Sequence, residues 1–229
     1  INWAFEFSDS LIILEDDIDF STAFIPFCEA KLNNKSISNS AWSVAGHNPL
    51  SYKEQKRGIV RVFNTFIHTI WGWASFSTSI ERFLSYRFLP FNSIAKDIET
   101  FSKFITKDPF LRNAIVLTWT RKSHRAILQH KDGSWDNFWL LSAWQACLPS
   151  IMPSISFSAE NNKNNEGATH FRSPNNKNSI LFNSSFENTV KSFSRKRDQS
   201  MLKVWGITRR YSWAYAFRIK NQLRRSLRN

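Results

Sequence analysis

A chain of 229 residues, 42% hydrophobic and 21% charged, can build one sizeable core and has the composition of a globular rather than a disordered protein. Two cysteines, Cys28 and Cys147, exclude a disulfide framework and fit a reducing compartment. The formal charge of +13 is lopsided: residues 191–229 hold twelve Lys and Arg against Asp198 alone, or +11, which leaves +2 for residues 1–190.

Taken in chain order, the apolar run 11–14 reads as a buried strand that stops at Glu15, Asp16 and Asp17. Residues 20–32 have Ala23, Phe24, Phe27 and Ala30 at helical spacing, with Ser21 or Thr22 as cap and Asn33-Asn34 as terminator. Residues 41–45 read as a second strand closed by Gly46, and 60–70 as an apolar, β-branched stretch leading into Trp71-Gly72-Trp73. Helices are expected over 77–84, 94–105 and 109–124; in the last, Val116, Thr118 and Thr120 suit a strand equally well. Asp132-Gly133 marks a turn before an aromatic helix over 134–147 carrying Trp135, Phe138, Trp139 and Trp144. The Asn- and Lys-rich stretch 161–183 reads as a loop with an ordered patch at 167–171, and 202–227 as a basic helix. The expected organisation is a body of residues 1–190 with a basic, aromatic tail of residues 191–229.

Several segment types are excluded. Residues 1–10 lack a basic start and carry Glu6 and Asp9, so they are no signal peptide. The uncharged stretch 137–159 is interrupted by Pro149 and Pro153 and is rich in serine, unlike a membrane span. No methionine precedes Met152, which implies a fragment or a processed chain.

The acidic triplet is the strongest chemical feature. Adjacent carboxylates repel one another unless a cation or solvent compensates, and hard divalent ions take oxygen ligands while bridging to phosphates. Placed at the carboxyl end of a strand, where α/β sheets bind ligands, the triplet suits a metal–diphosphate site; a solvated turn ahead of a helix is the plainer alternative.

The wider pattern resembles a family of enzymes. Leu11-Ile-Ile-Leu-Glu-Asp-Asp-Ile-Asp-Phe followed by Phe24 and Phe27 looks like the strand, metal motif and helix of GT-A glycosyltransferases. Ser43-Val-Ala-Gly-His-Asn resembles their next strand and its polar end. Trp71-Gly-Trp-Ala-Ser-Phe, Ser134-Trp-Asp-Asn-Phe-Trp and Asn165-Glu-Gly-Ala-Thr-His resemble the WGWA, WD and Ala-Thr-His segments of a bacterial nucleotide-diphospho-sugar transferase family, in its order. N-acetylglucosaminyltransferase I and its relatives are similar at greater distance.

The resemblance implies an α/β, Rossmann-like GT-A fold with a mixed sheet and flanking helices, here without the amino-terminal half that binds the nucleotide base. It implies transfer of a sugar from a nucleotide-diphosphate donor to a hydroxyl acceptor, with Mn²⁺ or Mg²⁺ as cofactor and a glycan or lipid-linked glycan as acceptor. Asp17 matches the direct metal ligand, Asp16 the position near the donor's sugar and ribose, and Glu15 a supporting residue. Asp136 matches the general base; Asn137 stands where some distant relatives carry a second acid. His170 matches a contact to metal or diphosphate. Trp71, Gly72 and Trp73 fall in the donor-binding segment, where Trp71, Trp73 and Trp135 suit a sugar's apolar face or simple core packing. Gly72 permits close approach of a ligand or serves a turn. The distant likeness and the single base favour inversion. Asp17 and Asp136 are then expected across one cleft, roughly 8–12 Å apart so that a sugar ring fits between, with His170 closing it.

His47, His68, His124 and His130 show no ligand-like spacing and read as structural or exposed, and Cys28 and Cys147 as inert core residues. In the tail, Trp205, Tyr211, Trp213 and Phe217 interleave with Arg209, Arg210 and Arg218, a pattern that suits an anionic membrane surface or a helix packed on the body. The expected location is the cytoplasm, at the inner face of the membrane. Two rival classes remain: a nucleic-acid-binding protein using the tail, disfavoured because the charge is confined there, and a non-catalytic remnant or sugar-binding module.

Overall fold

The computed structural model describes residues 2–50, 60–129, 135–160, 186–191, 193–204 and 207. A 3-10 turn (Asn2–Glu6) precedes β1 (Ser10–Ile13), an acidic turn, β2 (Ile18–Phe20), α1 (Phe24–Leu32), α2 (Lys35–Ser38) and β3 (Ser43–Ala45). β4 (Val60–Thr65) and β5 (Trp73–Phe76) lead to α3 (Ser77–Tyr86), α4 (Phe91–Ile105), α5 (Pro109–Gln129) and α6 (Trp135–Gln145). The remaining described elements are β6 (Ser150–Pro153), β7 (Ser158–Glu160), β8 (Phe186–Lys191) and α7 (Arg195–Val204).

Six strands form one mixed sheet in the order β1-β5-β3-β6-β4-β8, and β2 pairs with β7 in a separate antiparallel ribbon. β5 runs against both β1 and β3, β6 runs parallel to β3, and β4 runs against β6. The strands β1, β3 and β6 therefore point the same way, and their carboxyl ends share one end of the sheet with the start of β5.

Both faces of the sheet are covered, which explains why its central strands read as continuous apolar runs instead of alternating. Ala45, Phe63, Trp73 and Met152 point into the larger core with α3 to α7. Their neighbours Val44, Val62, Ala74 and Ile151 point to the smaller core under α1 and α2. α4 buries Ile94, Ile98, Phe101 and Ile105, a single stripe at helical period. α6 is buried on every side from Asn137 to Trp144, and so forms the central helix of the larger core.

Among the element boundaries that differ from the sequence expectation, three stand out. The helix expected from residue 20 begins at Phe24, with Ala23 as N-cap in place of Ser21 or Thr22. Phe20 is a strand residue opposite Ser158, and the Ser21 N–H donates to the Phe157 carbonyl at 2.9 Å. Pro26 has no N–H to donate to a preceding turn, so the helix cannot extend upstream. The apolar stretch 60–70 leaves the sheet after Thr65 because Asp198, on α7, takes the Thr65 hydroxyl at 2.7 Å and the Phe66 N–H at 2.8 Å. The ambiguous stretch from Pro109 is helical through Gln129. Cys28 is buried as expected, but Cys147 lies past α6 with φ +53° and is exposed.

Of residues 191–229, α7 packs on the body through Met201 and Leu202, and Ile207 beyond it is also buried in the larger core. The loop expected at 161–183, His130, and most of the helix expected over 202–227 fall outside the described residues. Among the described residues no helix is long and apolar enough to cross a membrane.

Candidate functional site

The acidic triplet occupies the turn that leaves the sheet at the end of β1. Ile18 N–H donates to the Glu15 carbonyl at 3.3 Å, so three successive carboxylates spread from one tight turn. Asp16 is exposed, while Glu15 and Asp17 are half-buried. The turn is held down by β2, which pairs with β7 in the register Ile18↔Glu160 and Phe20↔Ser158.

Gly46, at the end of β3, ties the next segment to this turn. Its N–H donates to the Gly72 carbonyl at 2.8 Å, and its own carbonyl accepts from Phe157 N–H at 2.8 Å. A Cβ at Gly46 would lie 2.5 Å from the Phe24 ring and 2.9 Å from the Gly72 carbonyl oxygen, so these three chains meet only because the residue has no side chain. Gly72 has φ +68°, and the space its Cβ would take is filled by Phe20, 2.3 Å away. The close approach at Gly72 is thus made by Phe20. Gly72→Ala should cost at least about 2 kcal/mol, combining left-handed backbone strain with displacement of the ring. Urea unfolding measures this; a loss under about 0.5 kcal/mol would mean that β2 shifts freely, contrary to its pairing with β7.

The tryptophans of the third segment separate into two roles. Trp71 is half-buried; its carbonyl accepts from the Ser158 hydroxyl, and its ring meets the His47 imidazole edge-on at 4.6 Å. Trp73 is 1% exposed and stands between Trp135, stacked at 6.1 Å, and Trp139 at 4.8 Å. Trp73 therefore belongs to the core and carries the half-buried Trp135 above it. Because Trp73 pairs with Ile13 in the sheet, the start of α6 comes to the same end of the sheet as the acidic turn. α6 then runs to the opposite end, where Trp144 Nε1 donates to the Phe66 carbonyl at 2.7 Å.

Asp136 and Asn137 in the first turn of α6 face different surroundings. Asp136 is exposed. Asn137 is 3% exposed and donates from Nδ2 to the Ser123 hydroxyl on α5 at 3.0 Å. A carboxylate at 137 would sit inside the helical core, whereas the one at 136 is open to solvent and to a substrate.

His47, set aside in the sequence reading as structural or exposed, lines this region. It is fully buried, with Nδ1 3.4 Å from both the Ser158 carbonyl and the Ser156 hydroxyl. Burial holds its pKa down to about 4, against a smaller opposing effect of the Ser158 carbonyl, so it is a neutral ring at physiological pH. The sequence signal for it was its place directly after the strand-closing Gly46. Asn48 beside it spans the gap to β6, donating to the Pro153 and Ser154 carbonyls at 3.0 and 2.7 Å.

No protein-family model, curated protein or solved structure matches this chain.

Four of the five segments singled out in the sequence thus meet at one end of the sheet: the acidic turn, the Gly46-His47 strand end, the Trp71–Trp73 segment and the start of α6. The fifth, with His170, lies outside the described residues. Among the described residues no three His, Cys, Asp or Glu side chains converge into a metal cage. The carboxylates of the turn are hard oxygen donors of the kind Mg²⁺ and Mn²⁺ take when one or two protein ligands share the ion with substrate phosphates. The residues present fit an ion that arrives with a diphosphate.

Proposed function

We propose that this end of the sheet is the sugar-transfer site of a metal-dependent glycosyltransferase of the GT-A kind, moving a sugar from a nucleotide-diphosphate donor to a hydroxyl acceptor in the synthesis of surface glycans. One observation carries the reading: segments separated by up to about 120 positions, each resembling a functional segment of those enzymes, converge where β1 and β3 end. The Gly46–Gly72 hydrogen bond, the Ile13↔Trp73 pairing and the Trp73–Trp135 stack make that convergence.

In this reading Asp17 and Asp16 hold the diphosphate side of the donor, and Glu15 supports the turn from its half-buried position. A bound Mn²⁺ or Mg²⁺ would neutralise charge developing on the leaving diphosphate. The partly open rings of Trp71 and Trp135 offer apolar faces to a sugar, positioned by His47 and Trp73 respectively. Asp136, exposed on a rigid buried helix, takes the proton from the acceptor hydroxyl.

The test is titration of the protein with Mn²⁺, alone and with inorganic pyrophosphate as a probe of the donor's diphosphate. Mn²⁺ alone should bind weakly, and pyrophosphate should tighten it by about tenfold or more, a gain that Asp17→Asn removes. Pyrophosphate with no effect on Mn²⁺ affinity, or an undiminished effect in Asp17→Asn, would sink the metal assignment. Metal and diphosphate binding without any donor hydrolysis or transfer would favour a sugar-binding module.

A further inference from the structure

We propose that the hollow where α4, the turn before α5 and α7 meet is a binding site for a small phosphate-bearing anion, separate from the sugar-transfer site. It lies at the opposite end of the sheet: β4 leaves the sheet there at Phe66, whose ring packs against Phe104 at 5.2 Å and Phe193 at 5.0 Å. The hollow encloses about 360 Å³, the scale of a small-molecule site.

Three cations from three separate stretches line it: Lys103 from the last turn of α4, Lys107 from the connection, and Arg195 from the start of α7. Holding like charges around one hollow is unfavourable unless an anion compensates. Asp108 lines the hollow beside them, so the lining carries three positive charges against one negative. Asp108 caps α5, accepting the Phe110 N–H at 3.0 Å. Glu99 meets Lys103 at 2.6 Å, but both side chains are more than half exposed, at 58% and 56%, and such a pair exchanges readily for a better partner.

The geometry suits a phosphate over a carboxylate or a polymer. Arg195 sits with its guanidinium 5.3 Å from the Phe104 ring centroid, which orients a planar fork able to take two oxygens of one group. Lys107 and Lys103 are point charges for the remaining oxygens. Phe104, 39% exposed, gives an apolar wall for whatever bears the phosphate. The α7 side is fixed in advance, because Gln199 donates to the Ile105 carbonyl at 2.9 Å and Asp198 is anchored to Thr65 and Phe66. A nucleic-acid strand is disfavoured, since the carboxylates of Asp108, in the lining, and Glu99, beside Lys103, would repel its further phosphates.

The experiment is calorimetric titration of the whole chain with inorganic phosphate and with pyrophosphate, in EDTA and at low salt. Saturable binding at one site is expected, weakened about tenfold by Lys107→Ala and by Arg195→Ala and unchanged by Asp17→Asn. Lys107 stands in an exposed turn, so its variant keeps the test interpretable if Arg195→Ala loosens α7. Absence of saturable binding up to roughly 10 mM would overturn the proposal. So would binding that survives both cation variants, or binding that needs a metal and is lost in Asp17→Asn, which would assign the anion to the strand-end site.

Discussion

Stability should stay nearly level from pH 8 to about 6.5 and fall by roughly 3 kcal/mol between there and pH 4. Three buried groups set this profile. Burial holds His47 down to about 4 and His68 down to about 3, while burial pushes Asp198 up to about 7 in spite of its bonds to Thr65 and Phe66 and the charge of Arg197. His68 Nδ1 is tied to the Ser150 hydroxyl, itself bonded to Ser43, and Nε2 has no partner among the described residues. A proton on that ring would add a charge and an unpaired N–H to the core.

Below the ordinary histidine pKa the unfolded chain takes up two protons that the folded chain refuses. Through neutrality the folded chain takes up one, on Asp198, that the unfolded chain refuses until near 3.8. Falling pH thus leaves stability nearly level from about 8 to 6.5, where uptake by Asp198 offsets the first protonation of the unfolded histidines, and then disfavours the fold by a net single proton, about 1.4 kcal/mol per pH unit. Denaturant unfolding at a series of pH values checks this, and two variants make it decisive. His68→Asn, which keeps a polar atom near Ser150, should lower stability at neutral pH yet flatten the acid limb, because one histidine and one aspartate then cancel. Asp198→Asn should start the loss at higher pH and about double the acid slope. An acid limb unchanged in both would refute the assignment.

Where the local pattern was complete, the sequence was readable. The run ahead of Glu15 is a strand because its apolar residues stop abruptly at acids, and Ile12 and Ile13 divide between the two cores. The aromatic helix expected over 134–147 forms as α6, and its burial on every side from Asn137 to Trp144 is set by the helices around it. What stayed illegible depended on distant partners. Phe20 looks like the first apolar residue of a helix, and only its pairing with Ser158 makes it a strand residue. Asp198 looks like the lone acid in a basic tail, and only the ends of β4 and α7 meeting turn it into a buried anchor. Trp71 and Trp73 have equal claims in the sequence, and only the sheet register decides which is enclosed and which is partly open.

The substitution with the largest expected effect on activity is Asp136→Asn. With nucleoside-diphospho-hexoses as donors, turnover should fall between about a hundredfold and ten-thousandfold, the range a positioned general base contributes. If the acidic turn and Trp71 hold the donor, as proposed, donor affinity should change little, because a base acts on the acceptor in the transition state. The fold should tolerate the change: the side chain is exposed, and α6 is fixed by Trp139 and Trp144 deep in the core. The remaining structural cost is loss of a negative charge at the positive end of a helix, about 0.3–1 kcal/mol, far below the catalytic effect. Asn137 offers no substitute base, since its amide is buried against Ser123. A variant that keeps wild-type turnover, or loses turnover and donor affinity in equal measure, would remove Asp136 from the role of base and leave it as an acid in the first turn of α6.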